Sequence, residues 1–156
     1  MLRRSLRPHM RKNTVLLIDS NVVLDFLLRR EPFYDSSKRV MRLCTDEYVD
    51  GYVALHSLTT IWYLLRNKPD SERRSSLKTV CELLEVVGTT HDEIVNAIDM
   101  TEFRDFEDCV LSKCAKAAGA DYIVTRNKSD FTYSEIPAVT PDELFSLLGI
   151  ITTEIR

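Results

Sequence analysis

Aspartates stand at three points of this chain where a folded protein could bring them together. Asp19 directly follows a four-residue apolar run, and Asp130 lies shortly after a second apolar run. Asp105 and Asp108 precede a stretch rich in alanine and cysteine with helical character. Uninterrupted apolar runs are typical of buried parallel strands, and such sheets bind ligands at the carboxyl ends of their strands. Because crowded carboxylates repel one another, the pattern predicts a site for a divalent cation.

The acids at helix starts also have a structural explanation that needs no metal. Asp19 stands where a residue would cap a following helix, although Ser or Asn would cap it equally well. Asp105 and Asp108 are three residues apart and therefore face one side of a helix start, where acids complement the helix dipole. The helix dipole is a sufficient explanation for the acid at Glu107. It does not explain why Asp105 and Asp108 would both stand where they could meet Asp19, so we favour the metal site.

The elements that must position these residues alternate between strand and helix. Apolar runs predict strands at 14–18, 51–54, 85–88, 121–125 and 137–139. Helical spacing predicts helices at about 20–29, 34–46, 57–67, 77–84, 91–101 and 105–118, with a last helix capped by Thr140. Gly119 is the expected cap that ends the helix at 105–118. Since parallel strands need helical crossovers, the pattern predicts a three-layer α/β domain with a central, mainly parallel sheet of five strands.

Composition narrows the class of protein. A chain of 156 residues is the size of one domain. No apolar stretch approaches the roughly 20 residues that a membrane helix needs. The four cysteines lie within helical patterns and lack the spacing of zinc ligands, which predicts reduced core thiols in a cytoplasmic protein.

The ends of the chain differ from its middle. Residues 1–12 contain five basic and no acidic side chains, which predicts a disordered extension or an arm that contacts phosphates. Met10 is an alternative to Met1 as the true start. We expect a single domain over residues 13–150 and a short tail at 151–156.

Three segments resemble the PIN domain family. They are LIDSNV at 17–22, DFED at 105–108 and IVTRNKSDF at 123–131. The likeness extends over about residues 14–148, and it implies a sheet in the order 3-2-1-4-5. It also implies metal-dependent hydrolysis of RNA with Mg²⁺ or Mn²⁺, leaving 5′-phosphate and 3′-hydroxyl ends. Many small bacterial members are toxin ribonucleases, so the expected partners are RNA, a cognate antitoxin and, in a homodimer, a second copy of the chain.

The resemblance assigns metal binding and catalysis to four acids. Asp19 and Asp108 match the family's metal ligands, and Asp105 is an additional ligand or a supporting group. Asp130 lies three residues beyond the place of the family's fourth acid, from where it could turn into the site. Arg126 is either a contact to the RNA phosphate or a solvated loop charge.

This chain departs from the family pattern at two positions. Thr60 stands where the family has a Glu after the second strand, and Asn127 stands where a fourth acid often lies. Both can offer oxygen but no charge. The sequence therefore predicts a less acidic, weakened site that holds one metal more readily than two. Thr60, Asn127, Asn21 and Thr125 are the expected polar supports.

Two other functions compete with the nuclease. A degenerate PIN-fold module would keep the fold and bind RNA or a partner, having lost turnover through Thr60 and Asn127. A phospho-aspartate receiver or phosphatase also places an Asp after its first strand. The phosphatase pattern needs a second Asp where Asn21 stands, and a receiver needs an acidic pair where Asn13 and Thr14 stand. That function ranks last.

Overall fold

Five parallel strands form one sheet in the order β3-β2-β1-β4-β5. The protein is represented by a computed structural model, which describes residues 13–150. The strands are β1 (Thr14–Ile18), β2 (Val49–Ala54), β3 (Glu85–Val87), β4 (Tyr122–Val124) and β5 (Ala138–Val139). All four pairings are parallel, which confirms the predicted fold class and strand order.

Seven α-helices connect the strands over the described residues. They are α1 (Ser20–Leu27), α2 (Tyr34–Thr45), α3 (Leu55–Leu64), α4 (Asp70–Leu83), α5 (His91–Asp99), α6 (Phe106–Ala118) and α7 (Pro141–Leu147). A short 3-10 helix at Lys128–Phe131 was not predicted. The expected extension at 1–12 and the tail at 151–156 lie outside the described residues. Within residues 13–150, no helix combines the length and apolar content that a membrane span requires.

Helix α4 is the clearest difference from the sequence prediction. It begins at Asp70, whereas apolar spacing marked it only from about residue 77. Its first half is made of polar side chains, so no apolar stripe shows where the helix starts. The predicted caps at the other helices are confirmed. Gly119 ends α6 with φ 66°, and Thr140 and Glu143 form a reciprocal capping box at α7.

The central strand β1 packs against a helical layer on each face. Leu16 and Ile18 belong to the larger apolar cluster, which includes side chains of α1 and α2. Val15 and Leu17 belong to a second cluster, which includes Leu111 of α6. Side chains alternate between the faces of a strand, so the apolar run of β1 is covered on both sides. The residue that follows it therefore emerges at the middle of the sheet edge.

The start of β4 is fixed to β1 by one aspartate. The Asp121 N–H donates to the Val15 carbonyl at 2.7 Å, and the Asp121 carboxylate accepts from the Val15 N–H at 2.8 Å. This pairing sets Ile18 beside Val124 at the far end of the two strands. The next residues of both strands are therefore neighbours.

The cysteines are less uniformly buried than expected. Cys109 and Cys114 lie in the core, Cys44 is half-buried, and Cys81 is exposed. The prediction of four core thiols is thus wrong for Cys81, since the spacing that marked α4 did not resolve which side of that helix it occupies.

Gly51 of β2 provides a test of the packing between β2 and its helices. A Cβ at this position would lie 2.6 Å from the Cys44 sulfur and 2.7 Å from a Leu84 methyl carbon. We expect Gly51→Ala to lower the free energy of unfolding by about 1–3 kcal/mol, because overpacking displaces both neighbours. Urea denaturation measures this loss. Gly88→Ala is the control, since a Cβ there meets nothing within 4 Å, and an equal loss in both variants would contradict the packing argument.

Candidate active site

Asp19 stands at the end of β1, turned away from the helix that follows it. It occupies the N-cap position of α1 but makes no capping hydrogen bond. Its carboxylate instead accepts from the Thr125 hydroxyl at 2.8 Å and from the Asn21 amide at 3.2 Å. Only 8% of the residue is exposed. Helix capping therefore does not explain this acid.

Thr125 connects the groups around Asp19. The residue is fully buried, at 0% exposed, and its hydroxyl oxygen accepts from the Asn127 N–H at 3.0 Å. The same oxygen lies 3.3 Å from the Asn21 amide nitrogen. The other end of the Asn21 amide accepts from the Arg126 N–H at 3.3 Å. Asn21, Thr125 and the backbone of Asn127 thus form one hydrogen-bonded set that holds the Asp19 carboxylate in place.

The charges of all the other predicted acids act on Asp108. Burial is the main cause that raises its pKa, and the negative charges of Asp19, Asp105, Asp130 and Glu107 add to it, so that the pKa rises from 3.8 to about 7. Burial also raises the pKa of Asp19, against the lowering effect of its hydrogen bond from Thr125. No basic side chain offsets the charge at Asp108 among the groups that act on it in the described part of the chain. The sheet edge therefore carries an uncompensated acidic cluster.

The start of α6 supplies three of these acids in different ways. Asp105 caps the helix, with its carboxylate accepting from the Glu107 N–H at 2.8 Å. Asp108 lies in the first turn of the helix and is half-buried. The Glu107 carboxylate accepts from the Thr60 hydroxyl of α3 at 3.0 Å. Thr60 therefore reaches the acidic cluster through Glu107.

The chemistry of the cluster fits a hard divalent cation. Carboxylate and hydroxyl oxygens are the ligands that Mg²⁺ and Mn²⁺ prefer, and a cation would offset the repulsion that raises the pKa of Asp108. Within residues 13–150, no three His, Cys, Asp or Glu side chains are already grouped closely enough to hold a metal ion. A cation at this site would need these side chains to move closer together.

Arg126 takes part in a buried ion pair. Its guanidinium donates to Asp25 through Nε at 2.7 Å and through Nη2 at 3.2 Å, and it lies 4.0 Å from the centre of the Phe33 ring. Asp25 of α1 is 0% exposed. Arg126 is thus not the solvated loop charge that the sequence offered as one alternative. Its contact with RNA stays a prediction.

A cleft lies beside this ion pair at the carboxyl ends of β4 and β5. It encloses about 340 Å³ and is lined by Phe33, Arg126, Asn127 and Pro141, among others. Asn127 therefore borders this cleft as well as supporting Thr125 through its backbone. The cleft extends the candidate site on the β5 side of Asp19.

Sequence reasoning missed the roles of Asp25 and Glu107. Asp25 interrupts an apolar helical run, and a charge in such a run signals a buried partner, although not which one. Glu107 was assigned to the helix dipole because its neighbours in sequence explained it. Its contact with Thr60 joins residues 47 positions apart, and no local pattern records such a pair.

Comparison with known proteins decides the family. A family model described as PIN domain matches residues 15–129, which is most of the chain. The chain belongs to the PIN domain family. This confirms the resemblance drawn from the three sequence segments.

Relatives of this PIN domain include a protein named as a ribonuclease. Ribonuclease VapC1 of Aquifex aeolicus (strain VF5) is 26% identical over 132 residues, covering 82% of this chain and 91% of the relative. VapBC2 from Rickettsia felis, bound to a DNA fragment from their promoter, has a TM-score of 0.61 at 12% identity, over 81% of this chain and 98% of that one. VapC20 of Mycobacterium tuberculosis, a sarcin-ricin loop cleaving toxin, has a TM-score of 0.56 at 16% identity, over 87% and 96%. At these identities the two structures support the fold.

The ion pair between Arg126 and Asp25 predicts a large effect on stability. Arg126→Met should lower the free energy of unfolding by about 3–5 kcal/mol, because it leaves a buried carboxylate without its main partner. Adding Asp25→Leu should recover most of the loss, since an apolar pair can replace a buried ion pair. Urea denaturation of both variants measures the difference.

The control for this test is an exposed ion pair. Arg74 lies 2.7 Å from Asp70 one turn away on α4, with both side chains well exposed. Arg74→Met should cost about 0.5 kcal/mol or less. A similar small cost for Arg126→Met would show that the buried pair does not stabilise the fold.

The raised pKa of Asp108 predicts a pH dependence of stability in the metal-free protein. The pKa rises from 3.8 to about 7 on folding, so the folded state binds this proton more tightly than the unfolded state. Stability from this group is present at low pH and is lost as the pH rises towards 7. With EDTA present, the melting temperature should therefore fall between about pH 4 and pH 7, the interval between the two pKa values, and Asp108→Asn should reduce that fall. Asp99→Asn, which removes an exposed acid of α5, should leave the fall unchanged; equal profiles for all three proteins would refute the assignment.

Proposed function

We propose that this protein is a metal-dependent endoribonuclease of the toxin type that hydrolyses RNA phosphodiesters. The observation that carries the proposal is the uncompensated acidic cluster around Asp108, at the strand ends where PIN-family sheets are expected to bind their ligands. The ribonuclease activity named for the Aquifex relative supports the same class of reaction.

Four aspartates would hold Mg²⁺ or Mn²⁺ in this proposal. Asp19 and Asp108 are the central ligands, and Asp105 and Asp130 act on Asp108 through their charge. When bound, the ion supplies a lowered pKa for the attacking water and an offset for the charge on the phosphate oxygens.

The chain's own residues prepare the site for the bound cation and the RNA phosphate. Thr125 and Asn21 hold the Asp19 carboxylate through hydrogen bonds, so little ordering remains when substrate arrives. Asp108 carries a proton over part of the neutral range in the metal-free protein, since its pKa is about 7, and it must release that proton to act as an anionic ligand. Asn127 and Thr60 support the site as hydrogen-bonding groups.

The position of the acidic cluster beside the cleft and the similar solved structures support a substrate and partners for this protein. RNA would approach the sheet edge beside Arg126, which lines the cleft. Cleavage would leave 5′-phosphate and 3′-hydroxyl ends. The VapBC complexes among the similar structures support a cognate antitoxin as a partner. We place the protein in the cytoplasm and expect a second copy of the chain as a further partner.

One specific observation favours a degenerate binding module as the second candidate. No three acids of the described residues are yet grouped as a metal site, and Thr60 and Asn127 bring no charge. A phospho-aspartate receiver is excluded by the sheet, because its strands follow the order 2-1-3-4-5 and this sheet has the order 3-2-1-4-5.

Cleavage of single-stranded RNA tests the proposal. The purified protein with Mn²⁺ should cut a labelled RNA, and Asp19→Asn should reduce the rate by about 100-fold or more, because loss of a ligand costs at least as much as loss of a supporting group. Excess EDTA should abolish cleavage. Asp99→Asn is the matched control and should cut at the wild-type rate, while melting curves check that both variants fold.

Two outcomes would count against the nuclease. Cleavage that persists in EDTA and in Asp19→Asn would point to contamination or to a metal-independent mechanism. Stable RNA binding without cleavage under either Mg²⁺ or Mn²⁺ would favour the degenerate binding module.

A further inference from the structure

Thr60 and Glu107 form a contact between two helices at the edge of the acidic cluster. The Thr60 hydroxyl on α3 donates to the Glu107 carboxylate on α6 at 3.0 Å. Thr60 is the position at which the sequence lacks the expected acid. A hydroxyl there cannot supply charge, but it can hold a carboxylate that comes from another element.

The charge of Glu107 acts directly on the candidate site. It raises the pKa of both Asp19 and Asp108, which come from the end of β1 and the first turn of α6. It also acts on His56 at the start of α3, where the Glu107 backbone carbonyl contributes too. The hydrogen bond from Thr60 thus places the Glu107 carboxylate at the contact between α3 and α6, where its charge acts on both central aspartates.

Local structure explains how Glu107 takes this position. Asp105 caps α6 by accepting the Glu107 N–H at 2.8 Å, which fixes the backbone of the first turn. The Glu107 side chain then extends to α3, where its carboxylate accepts a hydrogen bond from the Thr60 hydroxyl. An acid that served only the helix dipole would need no such partner, and Glu72 in the first turn of α4 is an example of an acid in that position.

We propose that Glu107 supplies the anionic metal ligand that Thr60 does not, so that this PIN domain has moved one carboxylate of its site from α3 to α6. Thr60 acts as the positioning residue that holds Glu107 towards Asp19. The inference rests on the proposed function, since it assigns a ligand to the metal of that site. It also revises the expectation of a less acidic site, because the charge missing at Thr60 is present on the neighbouring helix.

Calorimetric titration of the full chain with Mn²⁺ tests this assignment without depending on activity. Glu107→Gln keeps an oxygen that can accept from Thr60 but removes the charge, and it should weaken Mn²⁺ binding by about 10-fold or more. Glu72→Gln removes a first-turn acid from another helix and should bind Mn²⁺ as the wild type does. Melting curves in EDTA check that both variants are folded.

A second variant moves the carboxylate back to α3. Thr60→Glu combined with Glu107→Gln should recover most of the Mn²⁺ affinity that Glu107→Gln loses. Thr60→Val alone should weaken Mn²⁺ binding by a smaller factor, because Glu107 keeps its charge but loses the hydroxyl that positions it.

The outcomes separate this inference from the proposed function. If Glu107→Gln binds Mn²⁺ as tightly as a wild type that cleaves RNA, Glu107 is not a ligand and the nuclease assignment stands. If the wild type neither binds Mn²⁺ nor cleaves RNA, both proposals fail together. A loss of affinity in Glu107→Gln with recovery in the double variant establishes the relocated carboxylate.

Discussion

Ile18 lies beside Val124 in the parallel pairing of β1 with β4, and the residues that follow meet at the sheet edge. The hydrogen bond from Thr125 to Asp19 is the direct result of that register. A shift of either strand by one residue would turn the side chains of that strand to the other face of the sheet, so Thr125 and Asp19 would no longer meet. The pairing of Asp121 with Val15 at the other end of the strands opposes such a shift, so the geometry of the candidate site is secured far from the site itself.

The sequence was sufficient for the fold and for the positions of Asp19 and Asp108 at the ends of their elements, because both have local signals. The apolar run of β1 and the polar residue after it predicted a buried strand with an acid at its carboxyl end. Gly119 and Thr140 marked helix ends through their conformational preferences alone. The place of Asp108 at a helix start was visible in the sequence, and in the structure the charge of Asp19 acts on it. The metal-binding and catalytic roles of both residues remain predictions.

The features that the sequence did not reveal depend on contacts between distant elements. Arg126 and Asp25 are 101 residues apart, and neither residue's neighbours indicate the other. Glu107 had a sufficient local explanation, which concealed its contact with Thr60. The start of α4 was missed for a different reason, since a helix whose first half is solvated needs no apolar stripe. Long-range polar pairing is thus what sequence patterns leave undetermined.

Helix α6 extends along the sheet from the acidic cluster to Gly119 at its far end. Its 13 residues span about 20 Å, and its contacts with the sheet through Leu111, Cys114 and Ala115 fix its rotation about its own axis. The direction in which the first-turn carboxylates project is therefore set by apolar packing one to two turns away. A change in the buried face of α6 would therefore redirect these carboxylates without replacing any of them.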